Sequence, residues 1–473
     1  MAVRRILTLI TCCAIAPAIA SPRADPTTGR AVFTGAATPH ATSIALNPAA
    51  LGLGPVGEFY VALVGVLQQL SIDRRTIDPA TGTLSAGPSV SDTQLGPGGT
   101  LGGVWHPNDR LTVLGEVHVP PPEMSPENYD SLRYHTLGDG QRNYLVTVGV
   151  SLRVTSKFFF GASLSHENTF LRLRYARDTA LEAGTGARGI TSDCGGGTPC
   201  GVENPEATEL YDVDVASSLI STSNLKVHLG TVFSVYPDVW IGLAYHTPPG
   251  FNVQTTLDGT MNVTRAPRDG GEVIHGGASV LVSYPASVDG EVRARLPQAL
   301  ELHVGARWED LSRMQAYDVR GYGSTFPGAG VPEWRLRPLG LHDAVSGWVG
   351  IEQLDKGQPF RIGGRLGFET SSVSAERTSP MTIGPPRATI DVGAQARLGA
   401  WVVQLSYGIA LSPSVVVQDS DYDPRSRLDC LETLDYSSAA CEATRNGYGI
   451  PTAAGDYSRL DHSLRLGFRY ALP

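Results

Sequence analysis

Beyond its first twenty residues this chain of 473 has no apolar run near the ~20 residues that a membrane-spanning helix needs, which excludes a helical membrane protein. It also lacks any block of basic residues. With 37 Lys and Arg against 46 Asp and Glu its formal charge is −9, so it carries no electrostatic footprint for nucleic acid. Catalytic signatures are missing too: there is no GxSxG, HExxH, Walker or zinc-ribbon pattern, and neither a metal nor a cofactor is expected. Cysteine is scarce at six residues, and no linker or composition shift divides the chain into soluble domains.

The N-terminus reads as an export signal over residues 1–20. Arg4 and Arg5 precede an apolar stretch from Ile6 to Ile15, and Ala18-Ile19-Ala20 offers small residues for cleavage before Ser21. Lipidation at Cys12 or Cys13 is the weaker reading, because Thr11 is a poor residue there and the apolar stretch becomes very short. Losing Arg4 and Arg5 moves the charge from −9 to −11. Four cysteines remain, Cys194 with Cys200 and Cys430 with Cys441, each pair in a Gly-, Ser- or Asp-rich stretch. Their even count suits two loop-stapling disulfides in an oxidising compartment; a four-Cys metal site lacks the tight spacing, and unpaired loop thiols are the plainer alternative.

What the chain does have is period-two alternation, which places successive side chains on opposite faces of a sheet. From Tyr144 to Val154, Tyr144, Val146, Val148, Val150 and Leu152 share one face, with Thr147, Gly149, Ser151 and Arg153 on the other. Leu300, Leu302, Val304 and Trp308 likewise oppose Glu301, His303, Gly305 and Arg307, and Leu464, Leu466 and Phe468 oppose Ser463, Arg465 and Arg469. About a dozen such segments recur, near the length of membrane strands. A soluble sandwich alternates as well. Three features favour a transmembrane barrel: very short turns (Pro107-Asn108-Asp109, Pro237-Asp238, Gly399-Ala400) alternate with long polar loops (179–210, 418–457), aromatics sit at segment ends on the apolar face, and the polar face carries ions that a dry core could not solvate. Residues 21–56, rich in Ala, Thr, Pro and Gly, show no sustained alternation and read as a compact plug.

Asn47-Pro48-Ala49, within this plug, resembles the NPA motif in the N-terminal hatch of FadL/TodX-type outer-membrane transporters, and the likeness extends through Thr231–Pro249, Leu296-Pro297-Gln298 with the following ALELHVGARW, and 361–386 with the following ATIDVGAQARLG. The resemblance implies an all-β fold: a 14-stranded antiparallel transmembrane β-barrel over 57–473, plugged from within by a hatch at 21–56, in the outer membrane of a Gram-negative bacterium. It also implies a monomer without prosthetic group. Such a barrel takes up long-chain fatty acids or similar hydrophobic compounds and releases them sideways into the outer-membrane lipid beside a kinked third strand. The chain departs from the usual terminal Phe, ending Tyr470-Ala471-Leu472-Pro473.

Asn47-Pro48 reads equally as a local turn or as an anchor that shifts when ligand binds. Ten glycines, among them Gly149, Gly161, Gly230, Gly242, Gly305, Gly363 and Gly393, fall on the polar face, where plug or ligand backbone could approach. Gly115 instead shares the apolar face of Leu111–Val119 with Val113 and Val117; in the third strand it marks a lipid-facing gap at a lateral opening, a bulge, or an ordinary barrel glycine. Arg153, Lys226, Arg307, Arg365 and Arg397 are lumen-facing candidates for a ligand carboxylate, or simply wall residues. A polar-solute porin and a structural or adhesive barrel are the alternative functions. A barrel-embedded lipase finds no support in His462-Ser463, because neighbours in a strand point to opposite faces.

Overall fold

The computed structural model describes residues 31–54, 57–77, 83–178, 212–221, 224–251, 254–322, 326–327, 331, 334–354, 358–422 and 451–472. The segment expected to be a hatch is thus described over 31–54, and Cys194, Cys200, Cys430 and Cys441 lie outside the described residues.

Twenty-one strand segments form a single sheet. They are β1 (Glu58–Ile77), β2 (Leu84–Asn108), β3 (Leu111–Val119), β4 (Glu123–Met124), β5 (Gly140–Arg153), β6 (Phe158–Asp178), β7 (Asp212–Ile220), β8 (Asn224–Tyr236), β9 (Val239–His246), β10 (Thr255–Thr264), β11 (Val273–Val282), β12 (Ser287–Leu296), β13 (Leu300–Glu309), β14 (Ala316–Tyr322), β15 (Trp334–Pro338), β16 (Ala344–Gln353), β17 (Phe360–Glu369), β18 (Arg387–Leu398), β19 (Trp401–Leu411), β20 (Val415–Val417) and β21 (Gly455–Ala471). Seven pairs are successive pieces of one wall strand (β3 with β4, β7 with β8, β9 with β10, β11 with β12, β13 with β14, β15 with β16, β19 with β20), which leaves 14 antiparallel wall strands. β21 pairs with β1 from Ala471↔Glu58 to Gly455↔Arg74, so the sheet closes on itself and has no free edge along that seam.

One end of the barrel carries tight turns, such as Asn108 to Leu111 and Leu398 to Trp401, while the other carries the long connections. Near the short-turn end the alternation faces as the sequence indicates. Leu63, Val148, Leu366, Leu405 and Leu464 point outward and are exposed, whereas Thr147, His303, Arg365 and Arg469 point inward and are buried. Aromatics border this outward apolar band on both sides. Trp401 and Tyr470 pair at 4.8 Å between ring centres at the short-turn side, and Tyr144 meets Phe170 edge to face at 5.4 Å at the other.

Beyond the second aromatic row the pattern inverts. β6 continues without a break, but its inward face changes from Ser163, Ser165 and Glu167 to Leu171, Leu173 and Tyr175, all buried, while Arg172 and Arg174 turn outward. β7, β10, β11 and β14 follow suit, packing Val213, Val215, Leu257, Met261, Val280 and Val319 into one inward apolar cluster. Apolar side chains therefore do not face lipid along the whole wall. A sheet whose outer face is polar and inner face apolar is solvated outside and has its own core inside, so this upper section stands clear of the apolar band.

Candidate functional site

Residues 31–54, the segment expected to be a hatch, occupy the short-turn half of the lumen. Asn47 caps a 3-10 turn over Pro48–Leu53: its Oδ1 accepts from Ala49 N at 3.0 Å, and Pro48 takes the first helical position, where a missing N–H costs nothing. The same amide reaches the wall, its Nδ2 donating to Ala36 O at 2.7 Å and Thr231 O at 3.1 Å. One side chain thus shapes the turn and fastens it to β8.

Three wall glycines make this docking fit. A Cβ on Gly161 would lie 2.3 Å from Ala49 N, on Gly230 1.9 Å from Asn47 Oδ1, and on Gly242 2.2 Å from Ala36 O. Gly363 and Gly393 do the same for Val32 and Phe33. Gly149 and Gly305 serve the wall itself, making room for Ser163 and Trp348.

Ionic side chains hold the other end of the hatch. Glu352 accepts from Phe33 N at 2.8 Å and pairs with Arg365 at 2.8 Å; Glu291 accepts from Ala36 N at 3.0 Å and from His303 Nδ1 at 3.0 Å. Arg365 also donates to Thr34 O. All four wall residues are buried. Arg365, which the sequence left open between a ligand cation and a wall residue, is thus a salt-bridged wall residue that ties down residues 33–34. Arg153 and Arg397 are exposed near the short-turn end, away from any cavity described below.

Above the hatch lies a chamber with about 290 Å³ of room for water-sized groups. Its apolar lining comes from Leu70, Leu145, Leu171, Leu173, Leu339 and Leu341, and its polar floor includes Lys226, His228, His246 and Arg307. Sequence reasoning found Lys226 and Arg307. Arg307 is tied to Asp289 at 3.2 Å and to Glu309 at 3.3 Å, whereas Lys226 is in no ion pair among the described residues. The floor also holds a hydrogen-bonded chain: Ser165 Oγ to His228 Nε2 at 2.8 Å, His228 Nδ1 to His246 Nδ1 at 2.5 Å, and His246 Nε2 to Asp289 at 2.8 Å. No group of three or more His, Cys, Asp or Glu among the described residues is arranged to hold a metal.

Loop residues Ser125, Pro126, Met381 and Ile383 roof the chamber. Nearby in the same loop region His135 is buried, its ring meeting Tyr422 edge to face at 6.0 Å and its carbonyl accepting from Arg337 at 2.6 Å. Burial, reinforced by Arg74 and Arg337, pushes the imidazole from its ordinary 6.5 down to about 3. Between those values the opened loop binds a proton that the closed loop does not. The closed form therefore keeps its full stability above pH 6.5 and loses it progressively as pH falls toward 3, by up to about 1.4 kcal/mol per unit. Hydrogen exchange of residues 130–139, corrected for intrinsic rates, is expected to speed up at least tenfold from pH 7 to pH 5, and His135→Phe to abolish the acceleration.

The wall is interrupted beside the chamber. β3 pairs with β2 as far as Gly99↔Val119 and with β5 as far as His118↔Leu145, and pairing with β5 resumes only at Glu123↔Gln141. Between them run Pro120, Pro121 and Pro122, which have no N–H to offer a ladder. All three line the chamber, together with Gly96 of β2. Gly115 sits earlier on β3, on the outward face with Val113 and Val117, and is paired on both sides (Gly103, Val148), so no bulge forms there.

No protein-family model matches the sequence, and no curated protein matches it by sequence comparison. Solved structures do. A FadL homologue of Pseudomonas aeruginosa aligns at TM-score 0.71 and 14% identity over 97% of this chain and 99% of its own. The Pseudomonas putida toluene transporter TodX aligns at 0.64 and 11% over 96% and 99%, and the Ralstonia pickettii toluene transporter TbuX at 0.56 and 14% over 91% and 94%. Over nine-tenths or more of its length the chain has the fold of these proteins, at identities that speak for fold alone.

Proposed function

We propose that this chain carries hydrophobic small molecules, long-chain fatty acids among them, across the outer membrane of a Gram-negative bacterium, acting as a monomer without a cofactor. Ligand enters from the long-loop end, rests in the apolar chamber, and leaves sideways into lipid past Pro120–Pro122 while the hatch shifts. The observation that carries this reading is an apolar chamber above a filled floor, with its side reaching an interruption in the wall. Water-soluble cargo would need a continuous aqueous bore, and the hatch occupies it. That two structural neighbours are toluene transporters supports a hydrophobic ligand, and the outward apolar band with its two aromatic borders supports a lipid setting.

The exit is tested by closing it. Replacing Pro120, Pro121 and Pro122 with Thr, Val and Thr returns three backbone donors, so β3 can continue its ladders toward β4. Uptake of labelled oleate by cells that depend on this barrel is expected to fall at least tenfold, with oleate binding to the purified barrel retained. Uptake at the unaltered rate would remove the sideways exit from the proposal.

A further inference from the structure

A second, smaller cavity lies between the hatch and the wall, bounded by Ala41, Ala45 and Leu46 on one side and by Glu116, His118 and Arg465 on the other. Ala45 and His118 also line the chamber, so the two spaces adjoin. The small cavity has about 20 Å³ for water-sized groups, enough for one to two of them. It can take a polar head group but not an acyl chain.

Its polar groups are of opposite kinds. Arg465 is 7% exposed and donates through Nη2 to Tyr60 Oη, but its Nε and Nη1 are buried and make no hydrogen bond among the described residues. Leaving such donors unmet is costly, so they favour an occupant with an acceptor. Glu116, 6% exposed, presents its carboxyl oxygens to the same space, which favours an occupant with a donor. His118 adds little freedom, since its Nδ1 is engaged with Thr100 Oγ1 at 2.8 Å.

We propose that this cavity is a head-group station for uncharged amphiphiles whose polar end both accepts and donates, such as an undissociated carboxylic acid or a primary amide. The carbonyl oxygen accepts from Arg465, the O–H or N–H donates to Glu116, and the chain passes between Ala45 and His118 into the chamber. The station rests on the reading of the chamber as a hydrophobic ligand site. It is distinct from Lys226 on the chamber floor, which suits an anion.

Oleamide and methyl oleate separate the two, since both are uncharged and only the amide can donate. Binding of each to the purified barrel is measured for the native chain, for Arg465→Met, and for Ala45→Phe, which narrows the connection without touching a charge. Oleamide is expected to bind the native barrel at least tenfold more tightly than methyl oleate. Both variants should reduce that ratio to within twofold of one, with methyl oleate binding unchanged. An equal affinity for the two probes in the native barrel, or a preference that survives in both variants, overturns the station. If neither probe binds the native barrel, the chamber reading fails and the station with it; equal binding of both overturns the station alone.

Discussion

Gly161→Leu is expected to turn a barrel of low conductance into an open pore. The argument is steric. A Cβ at residue 161 would fall 2.3 Å from the backbone nitrogen of Ala49 and 2.5 Å from the carbonyl carbon of Pro48. No rotamer change relieves a collision with main chain, so either the hatch or the strand must give. The strand is held by pairing with Ser151 on β5 and Gly230 on β8, while the turn at Pro48–Leu53 is held mainly by Asn47 and by Ser151 Oγ, which donates to Ala49 O at 3.2 Å. The hatch is the weaker party. Single-channel recording in planar bilayers should show a steady conductance several times that of the native barrel, and heat-modifiable migration of the detergent-extracted protein should show that the wall still folds. Silent channels from a folded Gly161→Leu barrel would mean that the hatch does not close the lumen.

Glu352→Gln should loosen the same hatch by electrostatics rather than by volume. Glu352 holds Phe33 N and Arg365 at 2.8 Å each and lies 3.5 Å from His303. The substitution keeps a hydrogen-bond acceptor of the same size for Phe33 but removes the negative charge among buried cations. Removing one partner of a buried pair costs about 3 kcal/mol or more, because the other charge stays desolvated. If that cost is relieved by undocking residues 31–36, the open population rises by about a hundredfold. Adding Arg365→Met removes the stranded charge and should restore closure to within about tenfold of native, as replacing a whole buried pair by apolar groups is often nearly neutral. A double variant as leaky as the single one would assign the effect to something other than the buried charge.

The wall was legible because its physics is local. From Tyr144 to Leu152 every second residue is outward and exposed, and Trp401, Phe360 and Trp308 sit outward on the same apolar face. The close approach of residues 31–54 to the wall was foreshadowed by the polar-face glycines, since a residue without Cβ on a lumen face implies something close by. The chamber was not. On β6 the inward residues 163, 165, 167, 171, 173 and 175 keep one parity throughout, yet they pass from polar to apolar. Alternation gives which residues share a face, not which side of the sheet holds water, so equating apolar with lipid turns the upper wall inside out. Arg365 stayed undecided in sequence for a related reason: a lumen-facing cation looks the same whether it meets a ligand or a carboxylate thirteen positions away. The wall interruption was written in the sequence as Pro120-Pro121-Pro122, but Gly115 drew attention because it broke a pattern, whereas the prolines merely ended one.

The inverted upper section also alters how far a greasy solute must travel unprotected. Because its inner cluster, from Leu173 to Val319, continues into the chamber lining at Leu171 and Leu341, the apolar interior extends above the aromatic border rather than ending level with it. On the transport proposed above, a molecule that shuns water would leave it before reaching the charged surface layer of the bilayer and cross that layer sheathed in protein.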